Sequence, residues 1–420
     1  MSPWLALAAR SAWNRRLTLG LTLAAVSLSV ALLLGVERLR HNARESFAMS
    51  VSGTDLIVGA RTSPVQLILY AVFRIGEATN NIRWDAYRAI ASDPAIAWTI
   101  PISLGDSHRG YPVLGTTPDY FAHFHYGDAH PLAFSAGRRF DGVFDAVLGA
   151  DVADKLGYRL GDRVVLSHGI GGVALPEHAN KPFTVVGILA RTGTPVDRTV
   201  HVSLEAITAI HLDWQGGAPV PGFSIPPQYV RKFDLAPKEI TAALIGLKSR
   251  AAVFRVQRAV NDYAGEPLLA VLPGVALDQL WDVVGVAEKT LLAVSAMVVA
   301  VGLTGLIAVV LAGLNERRRE LAILRSVGAR ARGIFLLLTI EGLFVTVLGS
   351  VLGAILLSIL TMLARPIAQS QFGLAIHLQF VSLAELRLLG AVIAVGLLAS
   401  LVPGYRAYRL SLADGLTPRL

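Results

Sequence analysis

The sequence predicts a membrane α-helical protein with four transmembrane helices, plus a large mixed α/β extracytoplasmic domain of two lobes between the first helix and the second. Three observations carry this. Four runs with at most one charge approach or reach spanning length. The excess positive charge is gathered beside those runs. The one long polar stretch, residues 37–289, alternates strand and helix signals.

A helix needs about 20 apolar residues to cross roughly 30 Å of hydrocarbon. Leu17–Val36 and Thr290–Leu314 carry no charge, and Gly333–Leu363 carries only Glu341. Leu388–Val402 is uncharged, and Leu386 and Tyr405 extend it to a span over 386–407. Val65–Phe73 is apolar but too short, and reads as a core or interfacial helix. The first run is longer than a signal-peptide core and no small-residue cleavage site closes it, so it reads as an uncleaved anchor.

Composition agrees. The chain is 53% hydrophobic and 16% charged, against about 25% charged in soluble domains. It has no cysteine. That excludes disulfides, thiolate metal sites and cysteine nucleophiles. The outer domain must therefore fold on its own core, for which about 250 residues suffice.

A net charge of +8 first suggests nucleic acid. The charge map excludes it. Residues 1–16, 315–332 and 403–420 hold 12 of the 38 Lys and Arg but only 3 of the 30 Asp and Glu, which leaves the rest of the chain at −1. Basic residues beside apolar runs mark cytoplasmic loops. The topology follows: a cytoplasmic N-terminal segment 1–16, a span 17–36, the outer domain 37–289 and a span 290–314. A cytoplasmic loop 315–332, a span 333–363, a short outer loop 364–387, a span 386–407 and a cytoplasmic tail 408–420 complete it.

Within the outer domain, strands are expected at Asp55–Val58, Ala146–Leu148, Arg163–Ser167, Phe183–Leu189, Thr199–Val202, Thr241–Leu247 and Leu268–Leu272. Helices are expected at Trp84–Ala91, ended by Asp93-Pro94, at Asp151–Leu156, ended by Gly157, and at Arg250–Tyr263. Leu212–Pro237 is rich in Pro and Gly and reads as a loop or insertion. Strand–helix alternation on both sides of it suggests two α/β lobes. From Asp278 the pattern is helical into the second span, either as one continuous helix or with a hinge near Gly285.

Four sets of residues could carry function. In the loop 315–332, Leu321, Leu324 and Gly328 fall on one helical face, with Ile323 and Val327 adjacent. Such a stripe suits a groove on a partner or a lipid surface held by arginines. Glu341 is a carboxylate inside a span, which is costly in lipid and marks packing, coupling or proton relay. Gly349 and Gly353, four apart, allow close helix approach. His123, His125, Asp128 and His130 offer imidazole and carboxylate ligands suited to zinc, or form a surface loop rich in histidine. No P-loop, His-Glu-x-x-His or Gly-x-Ser-x-Gly pattern occurs, so no catalytic motif is nominated.

The run from Glu316-Arg317-Arg318-Arg319-Glu320-Leu321-Ala322-Ile323-Leu324-Arg325 to Ser326-Val327-Gly328-Ala329 resembles the cytoplasmic signature of the MacB-like and FtsX-like ABC permeases, the type VII systems. Gly149–Leu160 with Gly161-Asp162, Val185–Leu189, and Thr192-Gly193-Thr194 followed by Asp197 are similar to the periplasmic core domain of that family. The tail, with Pro403, Ala407, Leu410 and Leu412–Asp414, resembles its usual ending. The resemblance covers essentially the whole chain. It implies residence in a bacterial inner membrane, on two copies of a cytoplasmic P-loop ATPase that binds the ATP and Mg this chain lacks motifs for. It assigns docking on that ATPase to Glu316, Arg317, Arg319, Glu320, Leu321, Ile323, Leu324, Arg325, Gly328 and Ala329. It also implies a second permease copy, the same chain or a similar one, contact with membrane lipids, and a periplasmic adaptor or binding protein. Cargo would be exported or extracted on the periplasmic side. The alternatives are an FtsX-like regulator of a periplasmic enzyme, or metal-linked transport through the His123 run.

Overall fold

The computed structural model describes residues 16–50, 52–169, 177–215, 218–316, 325–326, 330–372 and 381–409. It divides into two compact units. One comprises Met1–Asn42, Gly285–Pro366 and Ile376–Leu420, the other Ala43–Val284 and Ile367–Ala375.

The elements run in chain order. After α1 (Arg16–Met49) come β1 (Leu56–Ala60), α2 (Pro64–Ala71), β2 (Ile82–Arg83), α3 (Trp84–Ala91), β3 (Ile96–Ser103), β4 (Asp106–His108) and β5 (Tyr111–Thr116). Next are α4 (Asp119–His123), β6 (His125–Tyr126), β7 (His130–Pro131), β8 (Phe134–Gly137), β9 (Asp145–Leu148), α5 (Ala150–Leu156), β10 (Arg163–Val164) and β11 (Ser167–His168). Then follow β12 (Phe183–Leu189), β13 (Val200–Ser203), α6 (Leu204–Ile210), β14 (Trp214–Gln215), β15 (Ala218–Pro219), β16 (Glu239–Ile240), β17 (Ala242–Leu247), α7 (Val253–Asn261) and β18 (Leu268–Val271). The chain continues as α8 (Pro273–Glu316), α9 (Ala331–Phe372) and α10 (Leu383–Arg409).

Local chemistry sets the helix ends. Ser63 caps α2 by accepting from the Gln66 amide, with Pro64 in the first turn, where a missing N–H costs nothing. Ser203 caps α6 through the Ala206 amide. Gly157 ends α5 at φ 72°, a left-handed conformation that needs no Cβ.

The main sheet of the outer unit has 12 strands, with the path β10-β12-β9-β13-β5-β3-β17-β1-β18. Neighbours along β3-β17-β1-β18 are antiparallel. With α3 between β1 and β3 and α7 between β17 and β18, this half is a β-α-β-β-α-β unit of the split kind. The other half, including β5, β9, β12, β13, α5 and α6, lies in sequence between β3 and β17. Only two register pairs, Ile102↔Thr116 and Ser103↔Gly115, join β3 to β5. The two expected lobes are thus nested, one inserted in the other, and do not follow each other about residues 212–237. Periodicity reports elements but not which strands pair, so the sequential division was the wrong boundary for them.

Three cores fill the unit. Leu56, Val58, Ala86, Ile90, Val256 and Val260 pack under α3 and α7. Val113, Ala146, Val152, Phe183, Val200 and Ile210 pack under α5 and α6. A third core crosses both halves through Ile57, Leu67, Ile100, Leu114, Val147 and Leu189. All five residues of β1 are buried, which explains why it reads as an unbroken apolar run. Leu67 and Ile68 of α2 are fully buried, so the short apolar run near residue 70 is a core helix.

The helical unit holds portions of α1, α8, α9 and α10, which among the described residues are the four helices long and apolar enough to cross a membrane. Val26, Val30, Leu303, Leu306, Leu338 and Val345 form its core. Of the two readings of the segment from Asp278, the continuous helix is the one observed: α8 runs through Gly285 without a break. α9 continues past Arg365-Pro366 to Phe372, so the first part of the segment 364–387 is helical. Arg163–Ser167 also divides: β10 pairs with β12, while β11 pairs with β4.

Candidate functional site

Close backbone approaches define the helical unit. A Cβ on Gly349 would lie 2.7 Å from Val26 Cγ1, and one on Gly353 would lie 2.6 Å from the Ser27 carbonyl oxygen and 2.9 Å from Val30 Cβ. These two glycines bring α9 against α1. Gly342 and Gly396 meet Ser400 and Thr346 across α9 and α10, and Gly302 of α8 faces Ser29 of α1. Helices in lipid gain little from burying apolar surface against each other, so such contacts set their packing. Glu341 is half-buried on α9.

Two polar links stand beyond the first apolar run. Arg38 donates to both Glu385 oxygens, at 2.8 and 3.1 Å. Glu385 also accepts from the Ser382 amide, and the Ser382 hydroxyl accepts from the Glu385 amide. This reciprocal pair is a capping box at the start of α10. The Ser-x-x-Glu spacing was visible in the sequence, but the partner 347 positions away was not. Arg40 bonds both oxygens of Glu37 at 3.0 Å and lies 4.0 Å from Glu288, so it bridges α1 and α8.

The expected ATPase-docking residues fall mainly outside the described residues. Arg317, Arg319, Glu320, Leu321, Ile323, Leu324, Gly328 and Ala329 all lie there. Glu316 ends α8, and Arg325 is helical and half-buried.

In the outer unit two of the quoted motifs converge. Gly149 sits against the Val196 and Asp197 carbonyls, with no room for a Cβ. Arg191 pairs with Asp151, and with Asp154 at 2.7 Å. Asp197 accepts from the Thr192 and Gly193 amides at 2.8 and 2.7 Å and from the Thr192 hydroxyl at 2.9 Å. Burial pushes the Asp197 carboxyl above the usual range against those bonds.

The His123 run forms a helix end and a hairpin. His123 stacks on Trp98, with centroids 5.4 Å apart. His125 Nδ1–H donates to the His123 carbonyl. β6 pairs with β7 through Tyr126↔His130. His123, His125, Asp128 and His130 do not come together as a coordinating group. The set of three or more His, Asp or Glu side chains within coordinating range among the described residues is Asp106, His168, His178 and His211. These lie up to 105 positions apart, and no sequence spacing joins them.

Comparison with known proteins gives the family. The model of the MacB-like periplasmic core domain matches residues 19–263, and that of the FtsX-like permease C-terminal region matches 292–412. No curated protein matches. Among solved structures, the periplasmic region of MacB from Actinobacillus actinomycetemcomitans is similar at 10% identity and a TM-score of 0.34, over 56% of this chain and 97% of that one. The extracellular domain of the noncanonic ABC-type transporter YknZ from Gram-positive bacteria is similar at 12% identity and a TM-score of 0.30, over 52% of this chain and 99% of that one. With family models matched on both the outer domain and the C-terminal helices, the chain belongs to the MacB-like and FtsX-like ABC permeases.

Proposed function

We propose that this chain is the membrane subunit of a mechanotransmitting ABC system in a bacterial inner membrane, with both termini cytoplasmic. A separate P-loop ATPase, carrying the ATP and Mg, docks on residues 315–332. A second permease copy completes the complex. ATP-driven closure is passed outward, where the periplasmic domain exports or extracts cargo. The chain itself performs no catalysis.

One observation carries this reading: α8 is a single helix of 44 residues. At 1.5 Å per residue it is about 66 Å long, roughly twice the hydrocarbon thickness. A rod of that length can transmit displacement well beyond the bilayer. Arg40, bridging Glu37 on α1 and Glu288 on α8, would make the two helices move together.

The test is a mild-detergent pull-down of the tagged full chain from its native host. A small P-loop ATPase is expected to co-purify, and to be lost when Leu321→Asp and Leu324→Asp are combined. If no ATPase appears while other membrane complexes survive, or if the double variant retains it, the docking assignment fails.

A further inference from the structure

The outer unit gathers three imidazoles and one carboxylate from four separate segments. Asp106 stands on β4 and His168 on β11, directly opposite in register. His178 follows the next stretch of chain, and His211 caps the C-terminus of α6. One potential ligand atom from each lies within 4.8 Å of all the others. Asp106 Oδ1 is 3.3 Å from His168 Nδ1, 3.7 Å from His211 Nε2 and 3.9 Å from His178 Nε2. His211 Nε2 is 3.2 Å from His168 Nδ1. A tetrahedral zinc with bonds of about 2.0–2.2 Å requires ligand atoms about 3.3 Å apart. The protein atoms alone come close to that figure.

Two further observations separate this set from an ordinary buried hydrogen-bond network. First, His178 is fully buried, and neither ring nitrogen has a hydrogen-bond partner among the described residues. Buried polar atoms are normally satisfied, so an orphaned imidazole aimed at a carboxylate needs an explanation. Second, His211 Nδ1 lies 2.8 Å from the Ile207 carbonyl. A carbonyl only accepts, so that nitrogen holds the proton and Nε2 presents its lone pair to the cluster. A metal-bound histidine is oriented in the same way by its other nitrogen.

The surroundings hold the set rigid. Trp214 covers it, with its ring 4.1 Å from that of His178. Buried Lys181 pairs with buried Asp213 and donates to the Ile210 carbonyl at 3.3 Å, tying the turn after His178 to the turn after His211. Asp213 also accepts from the Asn180 side chain and the Ile225 amide. His108 Nδ1–H donates to the Val165 carbonyl and its Nε2 accepts from the Tyr158 hydroxyl, fastening β4 beside the chain that enters β11.

We infer that Asp106, His168, His178 and His211 form a closed, four-coordinate site for a borderline divalent transition metal, with zinc the ion their nitrogen and oxygen donors fit. The ion is a structural clamp. It fixes the segment bearing His178 onto β4, β11 and the end of α6, in a domain that has no cysteine for disulfides. The site is independent of the ATPase reading and of the His123 run.

The test uses the full-length chain, purified in detergent through a tag without histidine, stripped with a chelator and re-equilibrated with zinc. About one tightly held zinc per chain is expected, with a rise in Tm on loading. Cobalt should give the intense visible absorption of tetrahedral coordination. His178→Ala and His211→Ala should lose the metal, and His125→Ala should keep it. Because the first two could fail to fold, His168→Cys provides a positive readout at the most exposed ligand. It introduces the chain's only cysteine, and its cobalt form should gain a sulfur-to-metal charge-transfer band. The inference is overturned if the wild type binds no stoichiometric zinc or cobalt is octahedral. It also fails if the His168→Cys cobalt form lacks the new band, or if His125→Ala loses the metal while His178→Ala retains it.

Discussion

Buried polar groups are satisfied in two different ways in the two units. In the helical unit, buried hydroxyls mostly bond within their own helix. Thr22, Ser27, Ser29, Ser295, Thr339, Thr346 and Ser400 each donate to the carbonyl four residues earlier. In the outer unit, buried polar groups reach across the chain. Lys181 pairs with Asp213 over 32 positions, His168 with Asp106 over 62, and Thr241 with the Leu104 amide over 137. The helices therefore satisfy most of their buried hydroxyls themselves, with the Arg38–Glu385 link as a cross-helix exception, and small residues set much of how they pack. The outer domain depends on pairings that exist only once it has folded, so single polar changes there should cost most.

The largest expected effect is at Lys181. Its side chain is fully buried, and that of Asp213 is 3% exposed. Lys181→Met leaves a buried carboxylate without its cation, at a cost of about 3–5 kcal/mol. Denaturant unfolding of the full chain, followed by tryptophan fluorescence, would read this through Trp214. Lys181→Met with Asp213→Leu should recover most of the loss, because the penalty belongs to the unpaired charge. A cost below about 1 kcal/mol for the single change would remove the contrast between the units.

Acid should separate the units next. His201 on β13 is fully buried, with Nδ1 3.2 Å from the Val147 carbonyl and, among the described residues, no partner for Nε2. Burial, reinforced by Arg74, lowers its pKa from 6.5 to about 3, against the bond to Val147. The folded state therefore holds His201 neutral while the unfolded chain takes up a proton below about 6.5. Its stability contribution is complete above that pH and is lost as pH falls toward 3. The slope approaches ~1.4 kcal/mol per pH unit. His201→Leu should flatten the loss between pH 6 and pH 4. An unchanged slope in that variant would assign the acid sensitivity to other groups.

The same contrast explains what the sequence disclosed. The four spans were legible because hydropathy is local and the bilayer demands continuous apolar length. Trp84–Ala91 and Phe183–Leu189 were read with their observed bounds, since each has the period or β-branching of its element and a clear stop. The nesting of one lobe in the other was not legible. It rests on β3 pairing with β17 across an insertion, and no local pattern encodes that. The His123 run attracted attention because its histidines are close in sequence, yet Asp106, His168, His178 and His211 converge from segments that each look unremarkable. The Ser382-x-x-Glu385 box was within reach of sequence reasoning, because both halves of a cap lie within one helical turn.

The smallest expected effect tests the packing side of the contrast. Gly349 and Gly353 both face α1, but they meet different atoms. A Cβ at Gly353 would lie 2.6 Å from the backbone oxygen of Ser27, whereas at Gly349 the nearest atom is the side-chain Cγ1 of Val26 at 2.7 Å. A valine rotamer can yield more readily than a neighbouring helix backbone. Gly353→Ala should therefore cost about 1–3 kcal/mol, the usual range for overpacking, and Gly349→Ala should cost less. Gly390 on α10 has nothing among the described residues within 4 Å of its would-be Cβ, so Gly390→Ala should be neutral or slightly stabilising, as removal of helix glycine allows. Thermal melting of the three full-length variants in one detergent would rank them. If Gly349→Ala proved as costly as Gly353→Ala, Val26 would be as immobile as backbone, and the α1–α9 contact would be specified by side-chain fit as strictly as the outer domain is by its polar pairs.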